Sequence, residues 1–229
     1  RCADFCILDE GETFKVSRVY KNGIAVSKKG TAEAEEIEFP KFVCSIPGED
    51  EMKLPSGMLK VIETIPGEII TEAGIGQEGD EGVQKIICVD RYRGEGFGVG
   101  LIKGLNIRQG AIATSVSHDA HNIIAAGASD AEIISAVKAV SEAGGGMAVV
   151  IGDETTVLSL PAGGLMTFKP YEEVLDEMAV LNEALEKTGA DKKAFMSLSF
   201  MALTVVPHLK ITPRGLFDGD SFSDTDIQC

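Results

Sequence analysis

The densest chemistry in the sequence is one short knot, His118-Asp119-Ala120-His121-Asn122. It sets two imidazoles and a carboxylate within four residues, between two apolar stretches that read as strands. Neutral imidazole and ionised carboxylate are ordinary ligands for zinc, iron and manganese, and at a strand terminus such groups can converge on one ion. The knot alone does not complete a ligand set, so a second reading stands beside the first. In it Asp119 orients a histidine, and the knot satisfies backbone groups where the chain leaves a ladder. Either way, a carboxylate beside an imidazole favours the charged ring, and sensitivity near neutral pH is expected.

The other candidates are weaker. His208, after Pro207, reads as a hydrogen-bonded structural residue, and the acidic tail Asp218, Asp220, Asp224 and Asp226 lacks the spacing of a calcium loop and reads as solvated. Glu172-Glu173 suit the first turn of a helix, where their charge complements the dipole. The glycine-dense run Gly94 to Gly100 is not followed by the helix and acidic residue that a dinucleotide cradle requires. A turn-rich loop that lets backbone pass close to a neighbour or a ligand is expected there. No serine with an adjacent base, no phosphate-binding lysine loop and no His-x-His pair is found. A self-sufficient hydrolase needs a nucleophile, or a metal-activated water with a general base, and one incomplete cluster falls short of that.

Composition narrows the partners. Twenty-one Lys and Arg against 36 Asp and Glu give a net charge of −15, which argues against a grip on a phosphate backbone, so no nucleic-acid partner is expected. No apolar run reaches the length of a membrane span, and the amino terminus lacks the order of a signal peptide, so a cytoplasmic address without membrane contact is expected. The five cysteines are scattered without a Cys-x-x-Cys pair and read as reduced thiols. The chain opens at Arg1 in the apolar segment Ala3 to Leu8, which suggests a piece of something longer.

The elements that must position the knot follow from period and punctuation. Phe14 to Tyr20 and Ile24 to Ser27 flank Asn22-Gly23, a hairpin signature. The text then turns acidic over Ala32 to Glu38, and Pro40, Pro47 and Pro55 follow, so a boundary near residue 50 is expected, separating a small β segment (1–50) from a larger domain (51–229). Met58 to Thr64, Val83 to Asp90, Gly110 to Ser117 and Ile123 to Ala128 read as strands, with a loop over Glu72 to Gly82. Ser129 and Glu132 form a capping box for a helix over 130–143, ended by Gly144-Gly145-Gly146. Met147 to Ile151 and Thr155 to Leu160 suggest a second hairpin. Pro170 suits the first position of a helix over 170–187, with Val174, Leu175, Met178, Leu181 and Leu185 on its apolar face and Gly189 at its stop. The fold class expected is α/β or α+β, a mixed sheet with two main helices after a small β segment.

The words Gly110-Ala-Ile-Ala-Thr-Ser-Val-Ser-His118-Asp119-Ala-His121-Asn122, Pro161-Ala-Gly-Gly164-Leu-Met166, Phe195-Met-Ser-Leu-Ser-Phe200 and Pro207-x-Leu209-Lys-Ile-Thr212-x-Arg214-Gly215-Leu resemble the carboxy-terminal domain of adenine deaminases, in the family's order from about residue 50 to 218. Ala3 to Gly30 is similar to the small β-sandwich segment that follows the barrel in those enzymes. The resemblance implies hydrolysis of adenine to hypoxanthine and ammonia by a metal-bound hydroxide, with manganese or iron, in an amidohydrolase barrel that is missing from this chain. It therefore implies adenine and that barrel as partners, and a homo-oligomer is expected. His118, Asp119 and His121 are candidate metal ligands, possession of one ion at His118 and His121 being the expectation, while Ser117 and Asn122 are candidates for substrate binding or for the wall of the site. Tyr92-Arg93 departs from the pattern, standing where a histidine-bearing stretch is expected. Two alternatives remain: a stand-alone binding or assembly module, and a small metal-dependent hydrolase acting through His118-Asp119-x-His121.

Overall fold

Strand β6 (Val83–Val89) shows how the larger body is built. Ile86 and Cys88 point to one apolar cluster, Ile87 and Val89 to another, and all four are fully buried, so the strand has core on both faces. A strand covered on both sides reads as a continuous apolar run rather than as alternation, which is the pattern of Ile86 to Val89.

The computed structural model describes residues 2–9, 14–26 and 37–229. It divides into two compact units, Arg1–Glu36 and Ile37–Cys229. In the first, β1 (Phe5–Leu8), β2 (Val16–Lys21) and β3 (Ile24–Ala25) form an antiparallel three-stranded sheet. Asn22 and Gly23 hold φ of 50° and 76°, the two positive angles that a two-residue hairpin turn matching the strand twist requires. Ser27 and Ala32 to Glu36, part of the expected second strand and of the acidic stretch, lie outside the described residues. The division falls ahead of residue 50 because Phe42, Cys44 and Ile46 pack with buried Met52 on the larger body.

That body is a mixed sheet of eight strands. Besides β6 it holds β4 (Leu59–Thr64), β5 (Thr71–Gly76), β7 (Phe97–Lys103), β8 (Ala111–Thr114), β9 (Ile123–Gly127), β10 (Gly146–Ile151) and β11 (Glu154–Ser159). Their order is β11-β10-β8-β9-β6-β7-β4-β5, and only β4 and β7 run parallel. Helix α1 (Asp130–Glu142) covers one face with Ile133, Ile134, Val137 and Val140, seated on the short side chains of Ala111, Ala113 and Ala125. The other face carries α2 (Tyr171–Thr188), α3 (Ala194–Ser199) and a small sheet of β12 (Leu209–Thr212), β13 (Gly215–Asp218) and β14 (Ser223–Asp224). This is the mixed-sheet α/β class that the sequence pattern implies.

The structure corrects several local expectations. Glu72 to Gly82 begins as edge strand β5, anchored by the buried Thr71 hydroxyl donating to the Leu209 carbonyl at 2.8 Å. The Gly94 to Gly100 run is half strand, because a side chain at Gly98 would collide with the backbone of Thr212 and Gly215 crossing over it. A close backbone approach is thus the reason for that glycine, and it occurs inside a ladder. In the capping box Ser129 accepts from the Glu132 amide at 3.4 Å, but the Glu132 carboxylate takes the Ser129 hydroxyl and the Gly152 amide instead of the Ser129 amide. Pro170 is the residue before the first helical turn, and Leu175 is 60% exposed, outside the packed face. The acidic tail stays mostly exposed, as expected, but its acids also pair within a small sheet: Asp224 takes two bonds from Arg214, at 2.8 and 3.0 Å, and Asp220 meets His208. Among the described residues no helix is long and apolar enough to cross a membrane, and the five cysteines are free thiols.

Candidate functional site

The connection between β8 and β9 runs from Ser115 to Asn122, at one end of the central strands. Its first residue is locked: the Ser115 hydroxyl donates to the Gly164 carbonyl at 2.6 Å and accepts from the Gly146 amide at 2.8 Å. The chain then coils on itself, with the His121 amide bonded to the Ser117 carbonyl at 2.7 Å and the His118 amide to the Ser199 carbonyl at 2.8 Å. His121 takes a left-handed φ of 53°, a conformation that histidine reaches more readily than most side chains.

This coil brings the two imidazoles together. Their centroids lie 5.9 Å apart with planes at 62°, and the His118 ring stacks on Phe200 at 4.9 Å. Asp119 sits on the exposed side of the knot, and among the described residues no three His, Cys, Asp or Glu side chains are gathered closely enough to hold a metal ion. Burial, followed by the neighbouring charges of His118 and Arg91, holds His121 below the ordinary imidazole value. The expected rise from Asp119 is present but outweighed, since removing a cation from water costs more than one exposed carboxylate returns. Ser117 is fully buried, and both its hydroxyl and the Nδ1 of His121 have no hydrogen-bond partner among the described residues.

Arg91, two residues past β6, ties the knot to its surroundings, and the sequence pattern did not single it out. It is 5% exposed, donates from Nη1 to the Gly163 carbonyl at 2.9 Å and from Nη2 to the Tyr92 hydroxyl at 3.0 Å. Its guanidinium lies 4.4 Å from the centroid of the Phe42 ring and 4.8 Å from that of Tyr92, an arrangement in which the ring faces attract the cation. Tyr92 in turn donates to the Ala120 carbonyl at 2.7 Å, and the Arg91 amide reaches the Asn122 side-chain oxygen at 3.4 Å. The visible half of this signal was the pair Gly163-Gly164: a side chain at Gly164 would run into the Arg91 guanidinium and the Phe42 ring. Tyr92 is therefore a clamp on the knot.

Beside the knot lies an open cavity of about 710 Å³, lined by Cys88, Asp119, Asn122, Phe217 and Phe222 among others. Asp90 on its rim is engaged, since its carboxylate accepts from the amides of Tyr92, Arg93 and Glu95, each at 3.1 Å. Burial acts to raise its pKa, yet those amides and Arg93 together hold it below the usual carboxylate value. Burial pushes the Cys88 thiol up to about 12, so at neutral pH it is an uncharged, apolar part of the floor.

A family model described as the adenine deaminase C-terminal domain matches residues 64–223. The chain is 42% identical to an adenine deaminase of Methanoculleus marisnigri over 99% of its length, 40% identical to one of Methanoregula boonei over 99%, and 37% identical to one of Geobacillus kaustophilus over 94%. It covers 45%, 42% and 42% of those proteins, and so spans less than half the length of the curated relatives it matches. The knot, the glycine pair that receives Arg91 and the cavity all fall inside the matched span, and the chain belongs to the adenine deaminase C-terminal domain family.

Proposed function

We propose that this chain is the carboxy-terminal part of an enzyme that hydrolyses adenine to hypoxanthine and ammonia, and that the water-activating centre lies in the part of the enzyme outside it. The observation that carries this reading is the identity of 40 to 42% with adenine deaminases over 99% of the chain, combined with the 42 to 45% of each relative that it covers. In the reaction water adds at the amino-bearing carbon, a proton reaches the amino group, and ammonia leaves. A divalent ion, manganese or iron, would supply hydroxide at neutral pH.

The knot by itself does not fit a resident ion, because its two imidazoles find no third ligand among the described residues. An ion at His118 and His121, with or without Asp119, would need ligands from elsewhere in the enzyme. Ser117 and Asn122 belong in this reading to the wall that the chain presents to the rest of the protein. We place the enzyme in the cytoplasm as a homo-oligomer, which gel filtration with light scattering would check. The decisive experiment compares ammonia release from adenine by the full-length protein and by this chain, each with its metal content measured. The full-length protein should turn over and the chain should not; metal-dependent hypoxanthine formation by the chain alone would refute the assignment and favour the small-hydrolase alternative.

A further inference from the structure

The cavity beside the knot has an apolar floor and a polar rim. Cys88 is fully buried and protonated, and Phe217, 6% exposed, meets Phe222 edge to face at 5.3 Å. Phe222 is 64% exposed and lines the cavity, so an aromatic side chain stands accessible at the wall. Two of the charged groups around it are spent: Asp90 on three amides, Arg214 on both oxygens of Asp224. On the rim Arg93 and Glu95 share one 3.5 Å contact and reach into solvent, and beside the knot two further groups keep spare capacity. The Asp119 carboxylate lines the cavity with no ion pair or hydrogen bond to the other described residues, and Asn122 uses its carboxamide only in the long 3.4 Å contact with the Arg91 amide.

These features select a ligand class. An open aromatic face takes a flat ring by stacking. A carboxamide with a free N–H and an oxygen with a spare lone pair matches a ring that presents an acceptor beside an amino donor, the pairing by which asparagine reads the amino edge of adenine. A free carboxylate lining the same cavity accepts a further N–H and offers nothing to an acceptor. At about 710 Å³ the cavity lies within the range of small-molecule sites. We propose that this cavity is a binding site for an amino-substituted aromatic heterocycle of the adenine class, formed within this chain alone, with Asn122 and Asp119 reading the amino edge and Phe222 covering the ring. The choice of adenine rests on the functional reading above; the site itself rests on the geometry.

Isothermal titration of the purified chain with adenine, hypoxanthine and unsubstituted purine tests this directly. Adenine should bind saturably with a Kd of millimolar or tighter, and hypoxanthine and purine, which lack the amino donor, about tenfold or more weakly. Phe222→Ala removes one aromatic contact with Phe217 and should weaken adenine binding about tenfold while lowering the thermal midpoint by no more than a few degrees; Asp119→Asn and Asn122→Leu should weaken binding likewise, with the folded fraction of Asn122→Leu checked by circular dichroism. Absence of saturable adenine binding, or binding that Phe222→Ala and Asp119→Asn both leave unchanged, would overturn the proposal. Equal affinity for hypoxanthine would do so as well. Deaminase activity in the full-length enzyme is read separately: activity without binding to this chain sinks the cavity alone, and binding without activity sinks the catalytic reading alone.

Discussion

The His118 imidazole lies flat against the Phe200 ring, centroids 4.9 Å apart and planes 21° from parallel. Phe200 closes α3, whose Ser199 carbonyl also holds the His118 amide, so one short segment fixes both the backbone and the ring of His118. That degree of restraint on a half-buried imidazole suits a group that must be aimed, and it makes the role of the knot measurable.

In the full-length enzyme, His118→Ala and His121→Ala should lower turnover or metal content far more than they lower thermal stability. If the knot merely satisfies backbone groups, the order reverses: stability falls by about 1–3 kcal/mol, and turnover per folded molecule is preserved. Both quantities measured on the same purified variants decide between the two.

Arg91→Ala removes a buried cation from two aromatic faces and leaves the Gly163 carbonyl without its donor, so urea unfolding should show a loss of about 2–4 kcal/mol. Gly164→Ala should act in the same direction, because its φ of 79° disfavours a side chain and the methyl would occupy the place of the guanidinium. A double variant that loses much less than the sum of the two would show that they act on one packing unit.

Lys210 is fully buried, its ammonium bonded among the described residues only to the carbonyls of Ile69 at 2.9 Å and Phe200 at 3.4 Å, and burial lowers its pKa to about 8. The folded value lies below the unfolded 10.5, so above about 8 the unfolded chain binds more protons and stability rises with pH until 10.5. Below pH 8 both states carry the charge and the cost of burying it is present in full. Chemical denaturation between pH 7 and 10.5 should show this rise in the wild type and a flatter profile in Lys210→Met; the Met variant should also be the more stable at pH 7.

Ser129→Ala should cost about 1 kcal/mol, the usual value of a helix N-cap, since it removes the acceptor of the Glu132 amide and one of the two donors to the Glu132 carboxylate. Thermal melts of the variant check it, and a loss above about 2 kcal/mol would mean that the Gly152 turn is unfastened with it.

The elements that the sequence announced are those whose signals are local. The first hairpin is written in Asn22-Gly23, α1 in its cap and its apolar spacing, and α2 in Val174, Met178, Leu181, Leu185 and the left-handed Gly189. What escaped is set by distant partners. Gly98 looks like loop text until the backbone of Thr212 to Gly215 is seen crossing above it, and β5 reads as a glycine-rich loop until it is paired with β4. The pairing of His118 with His121 was legible from spacing, whereas Arg91 was not, because a buried arginine is explained only by Phe42, Tyr92 and Gly163 arriving around it.

The two faces of the large sheet are upholstered differently. Under α1 lie Ala111, Ala113 and Ala125, and under the opposite layers lie Ile86, Ile102, Ile112 and Ile124. A methyl floor lets a helix settle close, and although Ile87, Val89, Ile123 and Val150 belong to the same cluster, growth at any of these three alanines presses directly on α1. On the opposite face, exchanges among branched residues of like volume can be absorbed by rotamer changes, at less than about 1.5 kcal/mol each. Mutational tolerance in this domain should therefore be lopsided, permissive toward α2 and the small sheet and close to forbidding at Ala111, Ala113 and Ala125 beneath α1.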